Sequence, residues 1–102
     1  MSDDFPKISD TEHLILKLIS INGPEMFGLE IVRASNGKVK RGSLYTTLAR
    51  MESKGLVKSR KETTPPDYLS APRRMYTLSG LGDEAMKAKE TAQVALINGV
   101  FA

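Results

Sequence analysis

Arg41-Gly42-Ser43-Leu44-Tyr45-Thr46-Thr47-Leu48-Ala49-Arg50-Met51-Glu52-Ser53-Lys54-Gly55-Leu56-Val57 sets Leu44, Leu48 and Met51 at the spacing that lines one face of a helix. Gly55 follows where a residue just past a helix C-terminus belongs. The opposite face carries Gly42, Thr46, Ala49, Arg50 and Ser53, which are small, hydroxylic or basic. Such a face can approach a polyanion closely and donate hydrogen bonds to it. An ordinary solvated surface helix fits the same pattern, so the neighbouring segments decide.

Charge is the first neighbour to consult. The 102-residue chain carries a formal charge of +3, but the excess is concentrated. From Arg33 to Lys61 the bases are Arg33, Lys38, Lys40, Arg41, Arg50, Lys54, Lys58, Arg60 and Lys61, against one acid, Glu52. Upstream, Asp3, Asp4, Asp10, Glu12, Glu25 and Glu30 outnumber Lys7 and Lys17. A chain basic only in its middle can present one positive face, as nucleic-acid binding requires.

Composition bounds the rest. With 40% hydrophobic and 26% charged residues and no Trp, the chain reads as one globular domain with an aliphatic core. No apolar run reaches the ~18 residues of a membrane span, and the N-terminus is acidic, unlike a signal peptide. The absence of Cys excludes disulfides and suits a cytoplasmic location. His13 is the only histidine, too few for a His-based metal site, so no metal or cofactor is expected. Catalysis is equally poorly served. Acids pair only as sequence neighbours (Asp3-Asp4, Asp83-Glu84), which do not converge on a helix face, and no nucleophile pattern occurs.

Working outward, residues 1–9 read as a flexible arm containing Pro6. Ser9-Asp10-Thr11-Glu12 has the form of a capping box, opening an apolar helix through Leu14, Ile15, Leu18, Ile19 and Ile21 that Asn22-Gly23-Pro24 stops. A second helix covers Phe27 to Ser35, ended by Asn36-Gly37. After the third helix, Leu56 to Glu62 reads as a strand, 63–72 as a Pro-containing loop, and Arg73 to Leu78 as the return strand of a hairpin. Arg74, Tyr76 and Leu78 share one face of that strand, and Arg73, Met75 and Thr77 the other. Met75 and Met86 read as core filler. Ser79 caps a fourth helix reaching Asn98, with a heptad-like seam at Leu81, Ala85, Ala88, Ala92 and Ala95. Three helices, a hairpin and a long helix make a mainly α (α+β) chain. It is a winged helix-turn-helix over 10–78 with a C-terminal dimerisation helix over 79–102.

The residues also resemble the PadR family of transcriptional regulators between Leu14 and Gly82. The matching pieces are Ile15-Leu16 with Leu18-Ile19, Gly23-Pro24 with Phe27-Gly28-Leu29-Glu30-Ile31, Gly42-Ser43-Leu44-Tyr45, and Leu48 through Val57. Arg73-Arg74-Met75-Tyr76 and Leu78-Ser79-Gly80-Leu81-Gly82 complete them. This chain has Thr46 where the family has a proline, and Met75-Tyr76 where it has paired tyrosines. The resemblance implies a homodimer joined through the C-terminal helix, of the family's smaller subgroup. Some members of that subgroup bind drug-like molecules between the subunits, which makes a small-molecule effector at the dimer interface a candidate partner.

Together these readings lead to a sequence-specific regulator, expected to act as a repressor on near-palindromic double-stranded DNA. The rival is a winged-helix protein-interaction module that does not bind DNA. Thr46 and Arg50 are expected at base edges. Arg41, Ser43, Tyr45, Lys58 and Arg60 are expected on phosphates, with Lys40 and Gly42 in the same set. The Tyr45 ring is expected to pack beside the apolar stripe with its hydroxyl outward. Of the wing pair, both candidate DNA-binding residues, Arg73 is expected toward DNA and Arg74 along the sheet or toward the fourth helix.

Overall fold

The computed structural model describes residues 7–63 and 72–101, with side chains to residue 94. The elements run α1 (Asp10–Asn22), β1 (Glu25–Phe27), α2 (Gly28–Ala34), α3 (Arg41–Ser53), β2 (Val57–Lys61), β3 (Arg74–Leu78) and α4 (Gly80–Phe101). Residues 1–6 of the expected arm and most of the 63–72 loop lie outside the described residues. Residues 7–9 are tied down: Ile8 packs on the core, and the Lys7 carbonyl accepts from Lys54 Nζ at 3.4 Å.

Capping starts α1 as its sequence dictates. Ser9 Oγ accepts the Glu12 N–H at 3.1 Å, and Glu12 Oε1 accepts the Ser9 N–H at 2.9 Å, satisfying two orphan donors reciprocally. Glu12 is nevertheless buried, because Lys54 Nζ bonds both its oxygens at 2.9 and 3.1 Å. Burial disfavours its charge, but the Ser9 N–H and the Lys54 ammonium outweigh that and hold its carboxyl below the usual range. The C-terminus of α3 is thereby clasped to the N-terminus of α1.

The hairpin expected from the sequence is one part of a three-stranded antiparallel sheet ordered β1-β3-β2. β1 escaped the sequence reading because three residues are too few to show alternation. Only pairing with β3, Glu25 opposite Thr77 through Phe27 opposite Met75, makes it a strand. It also delays α2 to Gly28, whose start is braced by the Glu30 carboxylate accepting the Phe27 N–H at 3.0 Å. The registers put Met26, Tyr76, Ser59, Val57 and Leu78 on the inner face and Glu25, Phe27, Met75, Thr77, Lys58 and Arg60 on the outer.

Ile15, Leu16, Ile19, Ile31, Leu44, Leu48, Met51 and Leu56 are wholly buried between the helices and the sheet. Each such side chain contributes roughly 1.5–3 kcal/mol. Met86 joins that core, while Met75, read as filler, is half-buried on the outer face of the sheet.

The seam of α4 divides differently from the expectation. Ala85 is buried in the chain's own core and Leu81 packs against it, so these two are engaged within the protomer. Ala88 is half-buried and Ala92 exposed; the Ala95 side chain lies outside the described residues. The first two turns of α4 therefore pack on the core of the winged helix. Among the described residues no helix is long and apolar enough to cross a membrane.

Candidate nucleic-acid interface

The turn between α2 and α3 fixes how α3 is presented. Asn36 and Gly37 take positive φ values of 53° and 85°, which Asn and Gly tolerate best. Buried Ser35 then closes the turn, its Oγ donating to the Val32 carbonyl at 2.7 Å and accepting the Val39 N–H at 3.0 Å. Val39 is thereby drawn into the core, and Lys38, Lys40 and Arg41 are left exposed on either side of it. Lys40 caps α3 without a side-chain bond.

The outer face of α3 is as the periodicity implies: Gly42, Thr46, Ala49, Arg50 and Ser53 are all exposed. Ser43 is exposed too, its hydroxyl donating to the Lys40 carbonyl at 3.3 Å. Tyr45 and Glu52, seven residues apart, share the flank of α3 beside the wing. The Tyr45 ring lies so close over Gly28 that a Cβ there would meet Tyr45 Cε1 and Cζ at 2.8 Å. Tyr45 is still 52% exposed, but its hydroxyl, expected outward, lies with the ring against Gly28 at the start of α2. A side chain at position 28 would have to displace the half-exposed Tyr45 ring, a contact its place in the first turn does not reveal.

The wing separates its arginines into two kinds. Arg60 Nε and Nη2 bond the two oxygens of Glu25 at 2.6 and 2.7 Å. Arg73 bonds Glu62 in the same forked manner at 2.9 and 2.8 Å and stacks over the Phe27 ring, 3.9 Å from its centroid. The Arg73 fork and N–H hold the Glu62 carboxyl down to about 2, and the Arg60 fork lowers that of Glu25. Both guanidiniums are correspondingly raised by their carboxylates. Arg74 is exposed and has no carboxylate partner among the described residues. Its Nη1 donates to Ser59 Oγ at 3.0 Å. The sequence assigned Arg73 outward and Arg74 along the sheet. In the structure Arg73 is filled by Glu62 over the Phe27 ring and Arg74 bonds Ser59, while both line the groove that holds Tyr45 of α3.

Of the basic block, then, Lys54 and Arg60 are matched internally. Arg33, Lys38, Lys40, Arg41, Arg50, Lys58 and Lys61 are exposed with no acidic partner among the described residues. Counting charges along the sequence could not separate these groups, since Glu12 lies 42 residues from Lys54 and Glu25 lies 35 from Arg60. Ser59, missed in the sequence reading, bridges Glu52 and Arg74.

Residues 15–88 match the model of the transcriptional regulator PadR-like family. Similar solved structures include a PadR-like transcription factor from Bacteroides fragilis, with a TM-score of 0.73 at 22% identity over 88% of this chain and 85% of that one. A PadR family transcription regulator from Clostridium difficile R20291 gives 0.72 at 23% identity over 92% and 100%. One from Eggerthella lenta DSM 2243 gives 0.69 at 25% identity over 88% and 80%. No curated protein sequence matches the chain.

Proposed function

We propose, from the premise that the chain belongs to the PadR-like family of transcriptional regulators, that it binds double-stranded DNA sequence-specifically as a homodimer and represses transcription in the cytoplasm. The observation that carries this reading is the exposed face of α3. Gly42, Thr46, Ala49, Arg50 and Ser53 carry no carboxylate there, and Lys38, Lys40 and Arg41 stand exposed at the helix start. Small residues let the helix enter a major groove, and Thr46 and Arg50 have the chemistry to meet base edges. Arg41, Ser43, Tyr45 and Lys58 would meet phosphates, which position the helix without specifying sequence. A protein-binding winged helix has no need of such a face.

Dimerisation is supported by the exposed turn at residues 91–94 of α4, where Ala92 lacks a partner within the described part of the chain. A small-molecule effector would sit against the open face of that helix that carries Lys87, Glu90, Thr91 and Val94. Repression follows if the site overlaps a promoter and excludes polymerase. The test is selection of duplex sequences from a random pool, followed by a reporter carrying the selected site. Enrichment of an inverted repeat and a lower reporter signal are expected. A pool that stays random, or retention of all duplexes alike at physiological salt, would overturn the reading.

A further inference from the structure

We propose that Ser59 is a positioning residue for the wing, its hydroxyl coupling Glu52 of α3 to Arg74 of β3 so that the Arg74 guanidinium is held at the flank of α3 to meet a DNA phosphate. The proposal rests on the DNA-binding reading and adds to it a named phosphate contact and the device that aims it. Ser59 sits on the inner face of β2 opposite Tyr76, the side of the wing turned toward α3. Its Oγ donates to Glu52 Oε2 at 2.9 Å and accepts from Arg74 Nη1 at 3.0 Å.

The chemistry of this junction is directional. A guanidinium only donates and a carboxylate only accepts, whereas a hydroxyl has one proton to give and lone pairs to receive. Ser59 can therefore link the two without letting them close into a forked ion pair. Arg60 and Arg73 show the alternative, each filled by a carboxylate. Arg74 gives one of a guanidinium's five N–H donors to Ser59, and its charge has no direct partner among the described residues. It also lines, with Phe27, Gly28, Leu29, Tyr45, Pro72 and the Glu62-bound Arg73, an open groove between the helix-turn-helix and the wing. A phosphate there would face the Arg74 fork and the Tyr45 side chain together. An arginine already aimed loses less freedom when it binds.

Ser59→Thr and Ser59→Val test this cleanly, because the two residues share a β-branched shape that suits a strand and differ by a hydroxyl against a methyl. Affinity for the selected duplex is measured across a salt series, alone and combined with Arg74→Ala. Arg74→Ala should weaken binding and flatten the slope of log K against log salt by about one unit. Ser59→Thr should bind as the parent does. Ser59→Val should bind about three- to tenfold more weakly, and no more weakly than Arg74→Ala when the two are combined. Thr and Val variants binding alike, a Val effect that persists without Arg74, or an Arg74→Ala variant with full affinity would each overturn the proposal. The NMR signal of the Arg74 Nε–H in the free protein reads the relay without DNA. It should show a restrained side chain in the parent and the Thr variant and a mobile one in the Val variant. Equal mobility in all three sinks the relay even where DNA binding stands, whereas failure of the parent to bind any duplex sinks the functional reading instead.

Discussion

Arg50 and Glu62 illustrate what a single charged side chain does at the two ends of this surface. Arg50 stands exposed on the helix face with no acid to hold it among the described residues, so its fork is available for a base edge. Arg50→Ala is expected to cost about 1–3 kcal/mol on the selected duplex and far less on random DNA. Equal losses in parallel titrations would make it a phosphate contact. Glu62 does the reverse, filling Arg73 over the Phe27 ring. Its folded carboxyl titrates at about 2 against roughly 4.5 when free. A depressed carboxyl stabilises the fold above the free value and loses that contribution as pH falls through the folded one. The wing contact is therefore intact at neutral pH and is lost between about pH 4.5 and 2. Following the Glu62 carboxyl carbon by NMR through an acid titration checks this, and a midpoint near the free value would refute it. Glu62→Gln should leave Arg73 free at neutral pH and steepen the salt dependence of DNA binding.

Between elements, the telling contact is the clasp of α1 on α3. Lys54 reads in the sequence as one more cation of a basic block, yet its ammonium bonds the buried Glu12 carboxylate and the Lys7 carbonyl. Lys54→Ala leaves that carboxylate buried with only its Ser9 bond, which should cost about 1–3 kcal/mol and lower Tm by roughly 4–8 °C per kcal/mol. A melting curve unchanged by the substitution would show that α3 does not depend on the clasp. DNA affinity of the folded fraction should fall less than for Lys40→Ala or Arg41→Ala. The same contrast explains what was legible in the chain. Helices announced themselves by local signals: the Ser9–Glu12 box, the Leu44–Leu48–Met51 stripe, the Asn36–Gly37 turn. β1 did not, because a strand of three residues exists only through its partner. The fates of Lys54, Arg60 and Arg73 were equally hidden. Each depends on an acid delivered by the tertiary fold, apart from Glu62, which the hairpin register brings to Arg73.

At the scale of the whole molecule, α4 decides how two reading heads could be spaced. Its 22 residues span about 33 Å, and its first turns are embedded, with Ala85 and Met86 in the core. His13 and Lys17 of α1 then hold Glu90 at 2.8 and 3.1 Å, and their bonds lower its carboxyl, so the direction of α4 is set by the domain it leaves. Beyond that point Ala92 is exposed, and a second copy can lie closely against so small a side chain. A rigid, paired α4 would place two α3 helices about one DNA turn apart, ~34 Å. The division of the seam makes a sharp prediction. Ala85→Glu should unfold the protomer, because it puts a charge into the core. Ala88→Glu with Ala92→Glu should leave the protomer folded but separate the copies, since the carboxylates introduced at exposed position 92 would face each other. Sedimentation of the double variant should give a monomer, and its affinity for a full inverted repeat should drop to that for a half-site. Inserting about five base pairs between the half-sites, which turns them to opposite faces of the duplex, should do the same to the parent protein. A double variant that remains dimeric would move the interface to the face of α4 that carries Lys87, Thr91 and Val94.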